Sequence, residues 1–259
     1  IYKKNKGKFC CSTQKNILQI NGIGMYIYSD ILFTLGTKSA ENLALYACDV
    51  KKKVPIGSLA MEMNYHKRKD KNKTKKFDLL VFASDHDKIF HSGYNSYYDE
   101  YMIHFDWIKK LALKFPDYKV GIKLKSVIND NNVKKKFKNV KNVMFVFDKD
   151  KYSDSYYLAE NAKSLCTWSS TLAFEFLGTG RVVFFLDPNY KNISFLPNYS
   201  HIKKFKINNY KQLQKKIINQ IKKKSLRFFY NKELRKKFCL ESKNSSKNIF
   251  LALQDLNRI

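Results

Sequence analysis

Five short apolar runs recur along the second half of the chain, and nothing else limits its fold as strongly. FDLLVFAS (77–84), YKVGIKLK (118–125), NVMFVFD (142–148), SLCTW (164–168) and RVVFFLD (181–187) are each the length of one strand. FDLLVFAS is nearly continuous in its apolar residues, as expected of a strand covered on both faces. Between them lie helical patterns. YYDEYMIHFDWIKKLALKF (97–115) is amphipathic and stops at Pro116, and a Lys-rich segment follows near 130–138. SDSYYLAENAK (153–163) opens on a capping Ser, and TLAFEFLG (171–178) stops at Gly178-Thr179-Gly180. Strand–helix alternation of this kind predicts an α/β fold with a doubly wound parallel sheet. Further helices are expected near 209–224 and 246–256.

The first quarter repeats the pattern more weakly. YSDILFTLG (28–36) reads as a strand, KSAENLALYAC (38–48) as a helix and VKKKVPIGS (50–58) as a short strand. MEMNYHKRKDKNKTKK (61–76) is polar and aperiodic, which predicts a linker. The expected organisation is therefore the end of one α/β domain over 1–60, a linker over 61–76 and a second domain over 77–259.

Composition excludes several classes. No apolar run approaches the roughly 20 residues that span a bilayer. The chain opens IYKKNKGKFCC, without a Met or a signal peptide, as a piece of a longer protein would. Five cysteines without CxxC spacing predict reduced thiols. The net charge of +28 comes almost wholly from lysine, since the arginines are only Arg68, Arg181, Arg227, Arg235 and Arg258. Surfaces that read nucleic acid lean on the arginine fork. The lysines are also dispersed, so no specific nucleic-acid partner is expected, although a non-enzymatic polyanion-binding protein is the alternative that the charge suggests. No GxGxxG or GxxxxGK[ST] loop occurs.

The chemistry concentrates where SLCTW runs into Ser169, Ser170 and Thr171. Ligands of open α/β sheets sit beyond the carboxyl ends of the strands, and the N-terminus of a helix suits phosphate. Glu175 follows Thr171 by four residues and so faces the same side of the helix. A carboxylate there can accept both hydroxyl protons of a ribose. Phosphate at the hydroxyls and sugar at the carboxylate together describe a nucleotide. The plainer reading is a helix cap beside a surface glutamate, and capping accounts for one of the hydroxyls. The capping box, however, places its acid three residues after the cap, not four.

Other groups fall at strand ends. Asp85, His86 and Asp87 follow the first strand of the second domain, where they face the cleft between domains and could contact phosphate or move protons, or else form a solvated turn. Lys123 and Lys125 share one face at the end of their strand and could neutralise phosphate. Asp187 and Asn189 follow the last apolar run and could line the same crevice. Three adjacent residues cannot turn to one ion, so no metal site is expected among them.

SSTLAFEFLGTGRVVFFLDPN resembles the nucleotide-binding half of bacterial surface-polysaccharide glycosyltransferases of the GT-B architecture. It is also similar to the CDP-glycerol glycerophosphotransferases of teichoic acid synthesis, in which a Ser-Ser pair precedes an apolar helix carrying an acid. FDWIKKLALKFPDYKVGIKLK resembles the segment of those proteins in which a helix and a proline lead into a strand ending in a Lys-His-Pro-like motif. Here that motif departs to Lys123-Leu124-Lys125. The resemblance spans about residues 77–200. It implies a Rossmann-like donor domain preceded by the remnant of an acceptor-side domain, with most of that domain before Ile1. It further implies transfer of a sugar or polyol phosphate from a nucleotide-sugar or CDP-polyol donor to a saccharide or lipid-linked acceptor. The donor is a substrate, and no separate cofactor or metal is implied. The expected setting is cytoplasmic, with peripheral association at the inner face of the membrane. A sugar-nucleotide epimerase of the same architecture is the nearest alternative.

Overall fold

A computed structural model describes residues 11–13, 27–42, 48–67, 77–83, 98–124, 131–146, 153–168, 170–188, 200–223, 231–240 and 243–257. The chain forms two compact units. The first comprises Ile1–Arg68, Phe174–Arg181 and Phe229–Ile259; the second comprises Lys69–Ala173 and Val182–Phe228. The sequence predicts a second domain over 77–259, whereas Phe229–Ile259, with the last two helices, group with the first unit.

In the first unit, strands β1 (Cys11–Thr13), β2 (Ile27–Thr34) and β3 (Cys48–Pro55) form a parallel sheet in that order. Helix α1 (Thr37–Asn42) links β2 to β3, and α2 (Leu59–Lys67) follows. The α2 helix occupies part of the segment expected to be a linker. Its start is set by Ser58, whose Oγ accepts from Met61 N at 3.2 Å. It lacks an apolar stripe because two of its buried residues are polar. Asn64 donates to Ala60 O at 2.9 Å, and the Glu62 carboxylate accepts from both Ser246 N and Ser246 Oγ at 2.8 Å.

The second unit holds six parallel strands: β4 (Phe77–Phe82), β5 (Val120–Lys123), β6 (Val143–Val146), β7 (Ala162–Thr167), β8 (Val183–Leu186) and β9 (Lys206–Ile207). Their spatial order is β6-β5-β4-β7-β8-β9. The chain therefore winds outward from β4 in one direction, returns, and winds outward from β7 in the other. This is the doubly wound, Rossmann-like order, and its reversal lies between β4 and β7. Helices α3 (Tyr98–Lys114), α4 (Asn131–Lys136), α5 (Ser153–Glu160), α6 (Thr171–Gly178) and α7 (Tyr210–Lys222) alternate with the strands. The expected α/β class holds. Strands β4, β5, β7 and β8 are buried on both faces. By contrast β6 is an outer strand whose Met144 is half exposed, and the two-residue β9 left no apolar run to read.

On α3 the residues Tyr101, Phe105, Ile108, Leu111 and Ala112 are buried at helical spacing. The Asn142 amide closes this helix by donating to the carbonyls of Ala112, Phe115 and Tyr118 at 2.9–3.1 Å. Helices α8 (Lys232–Phe238) and α9 (Ser245–Asn257) complete the first unit. There α9 lays Ile249, Ala252 and Leu253 against Ile31, Phe33, Val54 and Ile56 of the small sheet. The end of α8 lies so close to Gly36 that a Cβ on that glycine would sit 2.7 Å from the Lys236 and Lys237 carbonyls.

Candidate functional site

All six strands run parallel, so their carboxyl ends share one edge of the sheet. At the reversal, β4 and β7 are neighbours, with Phe82 paired to Thr167 on one side and to Lys123 on the other. A crevice outside the strand ends opens at such a point because the flanking crossovers leave in opposite directions. Two features pin the end of β7. The Thr167 hydroxyl donates to Phe82 O at 2.9 Å. Beyond it, the fully buried Trp168 packs edge-on against Tyr101 of α3, with ring centroids 5.6 Å apart. The turn that follows therefore leaves a fixed base.

That turn carries Ser170 and Thr171, both half-buried, with Thr171 the first residue of α6. Ser170 stands at the cap position, yet the Ala173 N–H goes to its carbonyl at 3.2 Å rather than to its hydroxyl. Among the described residues, neither the Ser170 nor the Thr171 hydroxyl makes a hydrogen bond. Neither of these two hydroxyls caps the helix, and Ser169, the third that could, lies outside the described residues. The first backbone N–H groups of a helix have no intrahelical acceptor, and the helix dipole is positive at that end. Free hydroxyls beside free N–H groups form a donor array suited to an anion.

Within α6, Glu175 is buried, at 3% exposure, rather than lying on the surface. The helix ends in a Schellman motif. Arg181 N donates to Phe176 O at 3.0 Å, Gly180 N donates to Leu177 O at 2.9 Å, and Gly180 adopts φ 84°, which favours glycine.

Lys123 ends β5 and is buried, its ammonium donating to Leu124 O at 2.6 Å. Asp187 follows β8, is 1% exposed and is locked to the neighbouring strand. Its N–H donates to Ile207 O at 2.8 Å, and its carboxylate lies 3.9 Å from the Lys206 ammonium. The register thus brings Lys123, Thr167, Ser170 and Asp187 to one edge of the sheet. Ser169, Lys125, Asn189, Asp85, His86 and Asp87 lie outside the described residues.

Nothing in the local sequence marks Thr167 and Trp168 as the supports of the turn, or His104 as a buried group. His104 is fully buried on α3 between Tyr101 and Phe105, with ring centroids 5.0 and 4.0 Å away. Burial, aided by the Lys136 charge, lowers its pKa to about 3, so the imidazole is neutral. Burial likewise pushes the Cys166 thiol far up, and among the described residues Cys166 and Cys239 are free cysteines. Among the described residues no helix is long and apolar enough to cross a membrane.

No family model matches the chain. No curated protein matches it either. Solved structures do. The chain is similar to UDP-GlcNAc 2-epimerase from Neisseria meningitidis bound to UDP-GlcNAc, with a TM-score of 0.55 and 17% identity over 88% of this chain and 62% of that one. It is similar to S. aureus MnaA in a co-structure with UDP, with a TM-score of 0.58 and 14% identity over 89% of this chain and 60% of that one. TarM aligns with a TM-score of 0.42 and 13% identity over 86% of this chain and 40% of that one. The chain thus spans about three-fifths of the length of the first two, and the likeness is one of fold.

Proposed function

We propose that the chain binds a nucleoside-diphosphate-activated sugar at the β7–α6 turn and serves a transferase of surface-carbohydrate synthesis. One observation carries this reading: the Ser170 and Thr171 hydroxyls, uncommitted among the described residues, stand at a helix N-terminus on the reversal point of a doubly wound sheet. In this reading Ser169, Ser170, Thr171 and the first N–H groups of α6 take the diphosphate, while Glu175 takes the ribose hydroxyls. Lys123 and Lys125 add positive charge at the neighbouring strand end, and Asp187 and Asn189 line the far side. An acceptor hydroxyl attacks the anomeric carbon as the bond to the diphosphate oxygen breaks. The nucleoside diphosphate leaves with the electron pair, and the acceptor proton passes to a base. Asp85, His86 and Asp87 are the groups of this chain proposed for proton transfer. Donors aimed at the leaving diphosphate stabilise the charge that develops there. With a CDP-polyol donor the acceptor hydroxyl attacks the polyol-bearing phosphorus instead, the pyrophosphate P–O bond breaks, and CMP leaves with the electron pair.

The organisation proposed with this reading takes residues 1–60 as the end of an acceptor-side domain. The acceptor is a saccharide or a lipid-linked saccharide, handled at the cytoplasmic face of the membrane. A second reading, inversion of a carbon within the bound sugar, is favoured by the fold likeness to the Neisseria meningitidis epimerase.

Calorimetric titration with UDP, CDP, GDP and CMP tests the binding step. Selective binding of one nucleotide is expected, weakened about tenfold or more in Ser170→Ala and Glu175→Gln. Binding of none, or binding indifferent to both substitutions, removes the reading. Incubating UDP-GlcNAc alone and following its sugar protons by NMR separates the two chemistries. Appearance of the C2 epimer without an acceptor establishes epimerisation, whereas acceptor-dependent release of UDP establishes transfer.

A further inference from the structure

A cavity of about 340 Å³ lies within the first unit, where the end of α6 meets α8 and the start of α9. Among the described residues its polar lining is Lys232, Arg235, Lys236, Asn244 and Asn248, and no carboxylate is among them. The Lys236 ammonium is 2.8 Å from Glu233, in a pair that lies open to solvent. Lys232 and Arg235 have no carboxylate partner among the described residues. The Arg235 guanidinium makes one long bond, from Nη1 to Thr179 O at 3.4 Å, and its Nε is buried without an acceptor. Beyond that bond the guanidinium's terminal Nη1 and Nη2 groups make no hydrogen bond among the described residues, so their donors remain for a ligand.

The cavity is also preformed. A Cβ on Gly178 would lie 2.5 Å from both Cβ and the carbonyl oxygen of Cys239, so the ends of α6 and α8 approach as closely as glycine permits. Asn244 and Asn248 stand one turn apart, with Asn248 N donating to Asn244 O at 2.9 Å, and add neutral amides to the charged rim. Lysine is plentiful in this chain, but a guanidinium and two side-chain amides lining one concave site are not a matter of composition. The volume lies at the low end for small-molecule sites, roughly 300–1,000 Å³, and is small for a nucleotide-sugar. The Arg fork suits a phosphate, which it can grip with two parallel bonds.

We propose that this cavity binds a small phosphate monoester of a polyol or sugar, separately from the nucleotide turn. The inference is independent of the proposed function, because no residue is shared between the two sites. The test is calorimetric titration of the full chain with glycerol 3-phosphate, inorganic phosphate and uncharged glycerol, each with and without saturating UDP. Saturable one-to-one binding of glycerol 3-phosphate is expected, with glycerol silent and UDP without effect. Arg235→Gln should weaken it tenfold or more. Lys232→Gln, an exposed change that leaves the fold intact, should weaken it severalfold, and Lys138→Gln in the second unit should not change it. Three results overturn the proposal: no saturable binding, equal losses from Lys232→Gln and Lys138→Gln, or displacement by UDP. The second would mean attraction to overall charge, and the third would mean that the phosphate was occupying the nucleotide turn.

Discussion

Burial leaves His104 neutral, and the cost of that appears in acid. Its folded pKa of about 3 lies below the 6.5 of an unfolded chain. Between those values the unfolded state holds a proton that the folded state does not, so stability rises with pH across that window. The contribution is complete above about pH 6.5 and is lost as pH falls toward 3, at a slope of about 1.4 kcal/mol per unit. Urea melts from pH 7 to 4 should show this slope, and His104→Phe should flatten it. An acid limb unchanged by the substitution would place the lability elsewhere. Cys166, equally buried and held as a thiol, should resist alkylation until the protein unfolds. Residue types alone do not reveal such states. A lone histidine in an amphipathic helix carries no sign of its burial until Tyr101 and Phe105 are seen to enclose it. Whether the Ser170 hydroxyl caps α6 could not be read from its type either, and the Ala173 N–H goes to the Ser170 carbonyl instead.

Elements are legible where one physical term dominates. Strands covered on both faces tend to be nearly continuous apolar runs, as β4 and β8 are, while β5 and β7 showed as short apolar segments between helical patterns, and α3 followed from its spacing and from Pro116. The edge strand β6 shares that composition but not that burial, because only a central position in the sheet covers both faces. Helix α2 was hidden because its buried face is held by Glu62 and Asn64, and polar side chains that find distant partners leave no periodic apolar signal. Two elements depend on single side chains that can be tested. Asn142→Ala leaves three carbonyls near the end of α3 without their amide and should cost about 1–3 kcal/mol in chemical denaturation. Trp168→Ala empties the space between β7 and α3 and should cost about 3–5 kcal/mol. It should also weaken nucleotide binding in excess of Thr167→Val, which removes only the bond to Phe82 O.

For the whole molecule, the positive charge is the feature most easily misread. A +28 chain will meet polyanions, but such encounters weaken steeply as salt displaces them. The nucleotide site proposed at the β7–α6 turn should lose little affinity between 50 and 200 mM salt, about threefold rather than orders of magnitude. A short DNA duplex titrated in parallel supplies the contrast, and equal salt sensitivity for both would reduce nucleotide binding to simple charge. The strand order was open to sequence reasoning only as a class. That β4 and β7 are neighbours depends on pairings between residues 85 positions apart, such as Phe82 with Thr167, which no local pattern encodes. The cavity beside Arg235 was equally invisible, because its lining gathers the end of α6 and segments more than fifty residues downstream.

The Glu62 carboxylate grips Ser246 across 184 positions, and Ile31, Phe33 and Ile56 are roofed by α9. Synthesis proceeds from the N-terminus, so on the ribosome the small sheet is made early and must wait uncovered until α9 leaves the exit tunnel. All six strands of the larger sheet are translated within that interval. The unit made first is therefore completed last, and its nascent strands are the ones most in need of a chaperone's shelter.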